Sequence, residues 1–307
     1  MQKNVLFILF LIFLTACKND ETPKFTIDLH NGIFVTNEGP FQNGTGTITF
    51  VSDAGEVTQE VYQKVNNKVL GNVVQSMTLY QDSAFIVVNN SHKVVVVDRY
   101  SFKELAIIEG EFIQNPRYLK VVNGYAYVSN WGNPQDATDD FIAVIDLSDY
   151  SLVSKISVGE GPEKMLVDNH KLYVLLKGGF GFNDKLTIVD CETNSVITNI
   201  IVGDVPTGIV KDINGAIWIL CQGNPDYAMA YAQLPETAGN LVKFENNQIT
   251  LNLPFAQTSI HPKNLTINQD VLFYTINNKV YQLSIIDNLL PTNEIPQLQN
   301  NYYALKA

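Results

Sequence analysis

Short apolar runs separated by turn residues fill the chain. Residues Lys171 to Leu176 form one such run, a glycine-rich break follows at Gly178, Gly179 and Gly181, and Leu186 to Asp190 and Val196 to Gly203 form the next two. Val, Ile, Leu, Tyr and Thr dominate these blocks, the pattern of consecutive antiparallel strands. Asp190 closes one strand, because its carboxylate can accept bonds from nearby backbone N–H groups and seed a turn. Gly203 and Pro206 mark the next boundary.

The same unit recurs. Gly124 to Asn130, Ile142 to Asp146 and Leu152 to Gly159 repeat it upstream; Ala216 to Cys221, Asn240 to Phe244 and Ile249 to Leu253 repeat it downstream. The aromatic residues of the second strand, Phe34, Phe85, Tyr127, Tyr173, Trp218 and Phe273, recur every 42 to 55 residues. Four strands per unit at a period of about 40–45 residues predict an all-β chain folded as a β-propeller of four-stranded blades. Six repeats are recognisable. Phe25 to Leu29 reads as a short leading strand, and Tyr302 to Ala307 as the first strand of a further, incomplete repeat. The ring is therefore expected to hold six blades, closed by terminal strands, or to show a gap where a seventh belongs, since unpaired strand edges are a liability that closure removes.

Composition narrows the function classes. The chain has 307 residues, 46% of them hydrophobic and 17% charged, with a formal net charge of −11. It is globular, and an acidic chain without a Lys/Arg cluster is a poor nucleic-acid ligand or anionic-lipid binder. The N-terminus modifies the membrane question. Lys3 precedes an apolar run from Val5 to Leu14, too short to span a bilayer, and Leu14, Thr15 and Ala16 lead to Cys17. This resembles a bacterial lipobox, which implies a signal peptide at 1–16, lipidation of Cys17, a polar tether at 17–24 and a propeller domain at 25–307. Cys191 and Cys221 are expected as buried thiols, because the repeat register puts them at turns too far apart for a disulfide.

The opening Gly32 to Gly39, the Tyr127 to Asn130 strand and the Val144 to Glu163 segment resemble YVTN/YncE-like propellers, and most closely the surface lipoproteins of Bacteroidetes that carry a DUF5074-type domain. The resemblance spans nearly all of residues 31–285. It implies an outer-membrane, lipid-anchored, cell-surface protein. It also implies, by analogy with relatives, capture of a corrinoid-like nutrient or docking on a TonB-dependent outer-membrane transporter.

Catalytic chemistry is thin in the sequence. There is no Gly-x-Ser-x-Gly elbow, and His30, His92, His170 and His261 are dispersed without a metal-binding pair. Asp136, Asp139 and Asp140 read as a solvated acidic loop, and the 178–182 glycine stretch as a flexible loop presenting Phe180 and Phe182. No catalytic residue, metal ligand or cofactor is assigned. The loops that follow the second strand of each blade share one face with the loops that lead into the next blade. They offer Glu38, Phe41, Asn89, Asn130, Trp131, Lys177, Phe180, Gln222 and Tyr227 from the first set, and Arg117, Glu163 and Lys263 from the second. Aromatics and amides on one face suit a bulky, partly polar small molecule or a protein surface, with Trp131 burying its ring and Arg117 pairing an anionic group. A non-catalytic binding or docking module is the leading expectation. A propeller enzyme (quinone-dependent dehydrogenase or lactonase-like hydrolase) and a structural or adhesive module are the alternatives.

Overall fold

A computed structural model describes residues 27–133, 135–179, 181–225, 234–296 and 304–305. Its strands are antiparallel and follow chain order within six sheets. The first sheet holds β1 (Gly32–Asn37), β2 (Thr47–Ser52) and β3 (Val57–Thr58), and a short helix α1 (Val61–Asn66) follows it. The second holds β4 (Val74–Tyr80), β5 (Ser83–Val88), β6 (Lys93–Asp98) and β7 (Glu104–Glu109). The third holds β8 (Pro116–Val122), β9 (Tyr125–Asn130), β10 (Phe141–Asp146) and β11 (Leu152–Ser157). In the fourth are β12 (Pro162–Asp168), β13 (Lys171–Leu176), β14 (Lys185–Asp190) and β15 (Ser195–Ile201). In the fifth are β16 (Pro206–Lys211), β17 (Ile217–Cys221), β18 (Asn240–Glu245) and β19 (Gln248–Pro254), and in the sixth β20 (Lys263–Asn268), β21 (Val271–Ile276) and β22 (Lys279–Ser284). The chain is a six-bladed β-propeller, as the repeat predicts. Beyond β22 the chain turns back beside it, the Ile295 N–H donating to the Val280 carbonyl at 2.8 Å.

The middle strands of each blade are buried on both faces because a neighbouring blade covers each side. In β5, β9, β13 and β17 nearly every side chain is buried, whereas the outermost strand β15 is almost wholly exposed. The innermost strands β4, β8, β12, β16 and β20 pack against one another in succession around the axis. Small hydroxyls tie them together: Ser76 Oγ donates to the Arg117 carbonyl and Thr78 Oγ1 to that of Leu119, each at 2.7 Å.

Apolar clusters seal the interfaces between consecutive sheets, five in all among the described residues. None joins the sixth sheet to the first. On that side Ile33, Val35 and Val57 are exposed, and among the described residues no innermost strand pairs with β1, which repeats the pattern of the second strands. The seam left there agrees with the expectation of six blades or a gap. Residues 304 and 305 of the expected closing strand carry no regular structure, and the rest of Tyr302 to Ala307, apart from these two, lies outside the described residues.

Three details differ from the sequence reading. Ile27 to Leu29 is not a strand: the Asp28 carboxylate accepts from the His30 N–H at 3.0 Å and turns the chain, although Leu29 is still buried in the first cluster. Helix α1 was not expected. Its buried Val61 and Tyr62 face the core, and the Tyr62 hydroxyl donates to Glu104. Gly178 and Gly179 serve close approach: a side chain at Gly161 (φ 70°) would collide with their backbone nitrogens, so the two turns need glycine where they touch. Cys191 and Cys221 are free and buried, as expected.

Candidate functional site

The innermost strands open with an irregularity. Ladder pairing skips between Val74 and Ser76, Pro116 and Leu119, Pro162 and Met165, Pro206 and Gly208, and Lys263 and Thr266. Proline suits the first position of a strand because it has no N–H to donate to the ladder. The residues left out of register include Gln75, Arg117, Tyr118, Glu163 and Lys164, so the bulge is what turns polar side chains out of the ladder at the mouth of the propeller.

Arg117 and Glu163 meet there across two blades. Arg117 Nε and Nη2 each donate to a Glu163 carboxylate oxygen at 2.9 Å, a bidentate pair whose side chains are 13% and 7% exposed. The guanidinium also lies 3.9 Å from the Trp131 ring centroid. Burial works against the Arg117 charge, but Glu163 prevails and raises its pKa further. Burial likewise works against the Glu163 charge, and Arg117 overcomes it, holding the carboxylate below its ordinary range. Lys164 is lowered by burial, and Tyr118 is raised by burial and then by Glu163. Trp131 is itself fixed: its Nε1–H donates to the Pro162 carbonyl at 3.0 Å, and Lys177 Nζ stands 5.9 Å from its ring.

Above this pair opens a cavity of about 750 Å³. Of the residues expected from sequence, Glu38, Phe41, Asn89, Arg117 and Trp131 line it. Glu163 and Lys177 support it through Arg117 and Trp131. Asn130 is buried beneath, donating to the Val128 carbonyl and accepting from the Gln114 N–H, both at 2.9 Å. Gln222 and Lys263 do not line it. Gln222 is buried and its carbonyl accepts from His261 Nδ1 at 3.0 Å, while the Lys263 carbonyl accepts from Thr275. Phe180 and Tyr227 lie outside the described residues.

Two roles change. The Arg117 charge is already matched by Glu163, so it is not waiting for an anionic ligand. Trp131 is only 9% exposed, so its face is not an open platform. Phe41, 65% exposed at the rim, is the available aromatic surface. The sequence reading missed Gln42, Gln75, His92, Gln114, Asn115 and Asn133, which also line the cavity, beside Gly39, Val73, Asn90 and Gly132. Their signal was positional: Gln114 and Asn115 immediately precede Pro116, and Asn133 follows Trp131. His92, one of the four dispersed histidines, sits in a turn at φ 48°, and its Nδ1 accepts from the Asn115 N–H at 3.0 Å.

The acidic loop lies beside this cavity. Asp139 accepts from the Asn133 N–H at 3.0 Å, Asp136 from the Thr138 N–H at 3.0 Å, and Asp140 Oδ2 from the Gly161 N–H at 2.6 Å. These carboxylates act as turn acceptors, and among the described residues no set of three or more is arranged to hold a metal ion.

No curated protein matches the chain. Several solved structures share its fold. A hydrazine synthase of Kuenenia stuttgartiensis is 18% identical with a TM-score of 0.59, over 78% of this chain and 70% of that one. A catalytically inactive virginiamycin B lyase of Staphylococcus aureus with quinupristin is 14% identical with a TM-score of 0.58, over 89% and 87%. A quinonprotein alcohol dehydrogenase-like protein of Bacteroides thetaiotaomicron is 13% identical with a TM-score of 0.55, over 85% of this chain but only 62% of that one. At these identities the likeness is one of fold, and propellers carry many unrelated activities. The family is defined by sequence: residues 31–304 match the model described as Domain of unknown function (DUF5074), and the chain belongs to that family.

Proposed function

We propose that this propeller is a non-catalytic binding module that takes its ligand, or a docking partner, in the cavity above Arg117 and Glu163. One observation carries the reading: about 750 Å³ of concave, amide-rich surface sits at the mouth of a rigid scaffold, walled by loops from three consecutive blades. The polar groups beneath are locked by the bidentate pair and by buried asparagines, so the wall is preorganised, which lowers the ordering cost of binding. The Leu14 to Cys17 motif supports a lipid-anchored protein at the outer-membrane surface, where a captured nutrient, corrinoid-like or other, would be handed to a TonB-dependent transporter.

The test is binding of a small-molecule panel to the purified full chain by calorimetry, together with co-purification of outer-membrane transporters. Phe41→Ala and Asn89→Ala are expected to weaken whichever interaction is found. Binding that survives both changes and is lost when the other end of the innermost strands (Tyr80, Lys120) is altered would reassign the face.

A further inference from the structure

Resting on that reading of the cavity, we infer that its ligand is a neutral, hydroxyl-rich molecule of oligosaccharide type, not a phosphate, a carboxylate or another anion.

Arg117 is the cationic Arg or Lys side chain that lines the cavity, and it is engaged by Glu163 through two 2.9 Å bonds in a buried setting. An anion that drew Arg117 away would leave Glu163 enclosed and uncompensated, which is strongly unfavourable. Glu38, on the cavity wall, adds a carboxylate whose field reaches Arg117 and opposes an incoming negative charge. Lys177 and Lys164 share the field of Glu163 without lining the cavity, so the charges an anion meets on the wall are those of the Arg117–Glu163 pair and Glu38.

The remaining wall is neutral and polar, and several of its groups are aimed. The amide nitrogen of Asn89 donates to the Pro116 carbonyl at 3.1 Å and that of Asn115 to the Gly132 carbonyl at 2.7 Å. These bonds fix each amide plane and orient its carbonyl oxygen. His92 Nδ1 accepts from the Asn115 N–H, so the proton of the neutral ring sits on Nε2, which is left as a donor. Gln42 and Gln114 supply further amides, each both donor and acceptor. Fixed donors and acceptors side by side match vicinal hydroxyls, because each hydroxyl also donates and accepts. The same wall would leave the acceptor-only oxygens of a phosphate facing amide oxygens.

Phe41 supplies the complementary apolar surface. Its ring is 65% exposed at the rim of the same cavity. A pyranose has an apolar C–H face edged by hydroxyls, so it can cover the phenyl ring while its edge meets the amides. The cavity of about 750 Å³ has room for a few sugar units.

The experiment is calorimetric titration of the full chain with neutral trisaccharides (maltotriose, cellotriose, laminaritriose) and with trigalacturonate and inorganic phosphate. At least one neutral trisaccharide is expected to bind, with Phe41→Ala weakening it by about tenfold and Phe41→Tyr restoring it. Its affinity is expected to change less than about twofold between low and high salt, since no exposed ion pair is formed. Tighter binding of trigalacturonate or phosphate, lost in Phe41→Ala, would overturn the neutral-ligand inference and leave the cavity as a binding site. Capture of only a corrinoid or a protein, sensitive to Phe41→Ala, would do the same. Neutral sugar binding that ignores Phe41→Ala and Asn89→Ala would overturn both readings. No binding of any neutral trisaccharide at millimolar concentration would overturn the oligosaccharide assignment.

Discussion

Removing one charge from the Arg117–Glu163 pair tests whether the cavity floor is held as described. The pair is the least exposed ion pair among the described residues, at 13% and 7% side-chain exposure, with two N–H···O bonds of 2.9 Å. Glu163→Met strands a guanidinium, and Arg117→Met strands a carboxylate, in a setting where burial already works against both charges. Breaking a buried pair by deleting one partner costs about 3–5 kcal/mol. At about 2 °C per kcal/mol for a domain of this size, Tm should fall by about 6–10 °C in each single variant. Arg117→Met combined with Glu163→Met removes both charges and keeps apolar bulk against Trp131. It is expected within about 2 kcal/mol of the parent, and therefore more stable than either single variant. Urea denaturation of the four proteins gives the coupling energy directly, expected at about 2 kcal/mol or more. If each single variant costs under about 1 kcal/mol, as exposed pairs do, or if the double variant loses the sum of the two singles, the buried-pair argument is wrong.

Asp140 is raised to about 7, by burial first and then by Asp139, Glu160 and Asp136, against the Gly161 N–H that lowers it. A carboxyl whose folded-state pKa lies above its unfolded value binds its proton more tightly when folded, so stability falls as pH rises from about 4 towards 7 and the deficit persists above. Asp140→Asn keeps an acceptor for Gly161 and does not titrate; its Tm should exceed the parent's by about 2 °C at pH 8 and match it near pH 4, and equal gains at both values would refute the assignment. Gly161→Ala drives a methyl into the Gly178 and Gly179 backbone at a positive φ and is expected to cost more than about 2 kcal/mol in urea, a neutral result showing that the two turns do not touch. Cys17→Ala should move the protein from the membrane to the soluble fraction; retention in the membrane with an unlipidated N-terminus would reject the lipobox reading.

The blades were legible because their information is local. Alternation and turn residues within a few positions decide each strand, and Asp98, Asp146 and Asp190 end equivalent strands by accepting backbone N–H bonds just downstream. The Arg117–Glu163 pair was not read, although both residues follow a proline at the same point of consecutive repeats, 46 positions apart. Each was placed separately on the ligand-binding face, Arg117 to pair an anionic group of a ligand. Aligning the repeats would have set an Arg beside a Glu on adjoining innermost strands. The helix after β3 was missed for a different reason: its six residues are shorter than the window over which helical periodicity emerges, and burial of Val61 and Tyr62 holds it. Phe41 and Trp131 were placed on the same face with equal standing; what separates them is exposure, which depends on what a neighbouring blade lays over a ring, and no single repeat encodes that.

The five sealed interfaces among six sheets have a consequence for how the molecule comes apart. A closed circle of blades has no ends, and loss of any one blade breaks two contacts. Among the described residues no apolar cluster seals the sixth sheet to the first, so the described sheets form a linear series in which the first and sixth are each anchored on one side only. Nearest-neighbour coupling then predicts unfolding that starts at the termini of the series and advances inward. Amide hydrogens of β1, β2, β21 and β22 should exchange first, and those of β9 and β13 last. The third and fourth blades, which carry Arg117, Trp131 and Glu163, sit in the middle of that series, so the cavity floor is built on the part of the protein that opens least often.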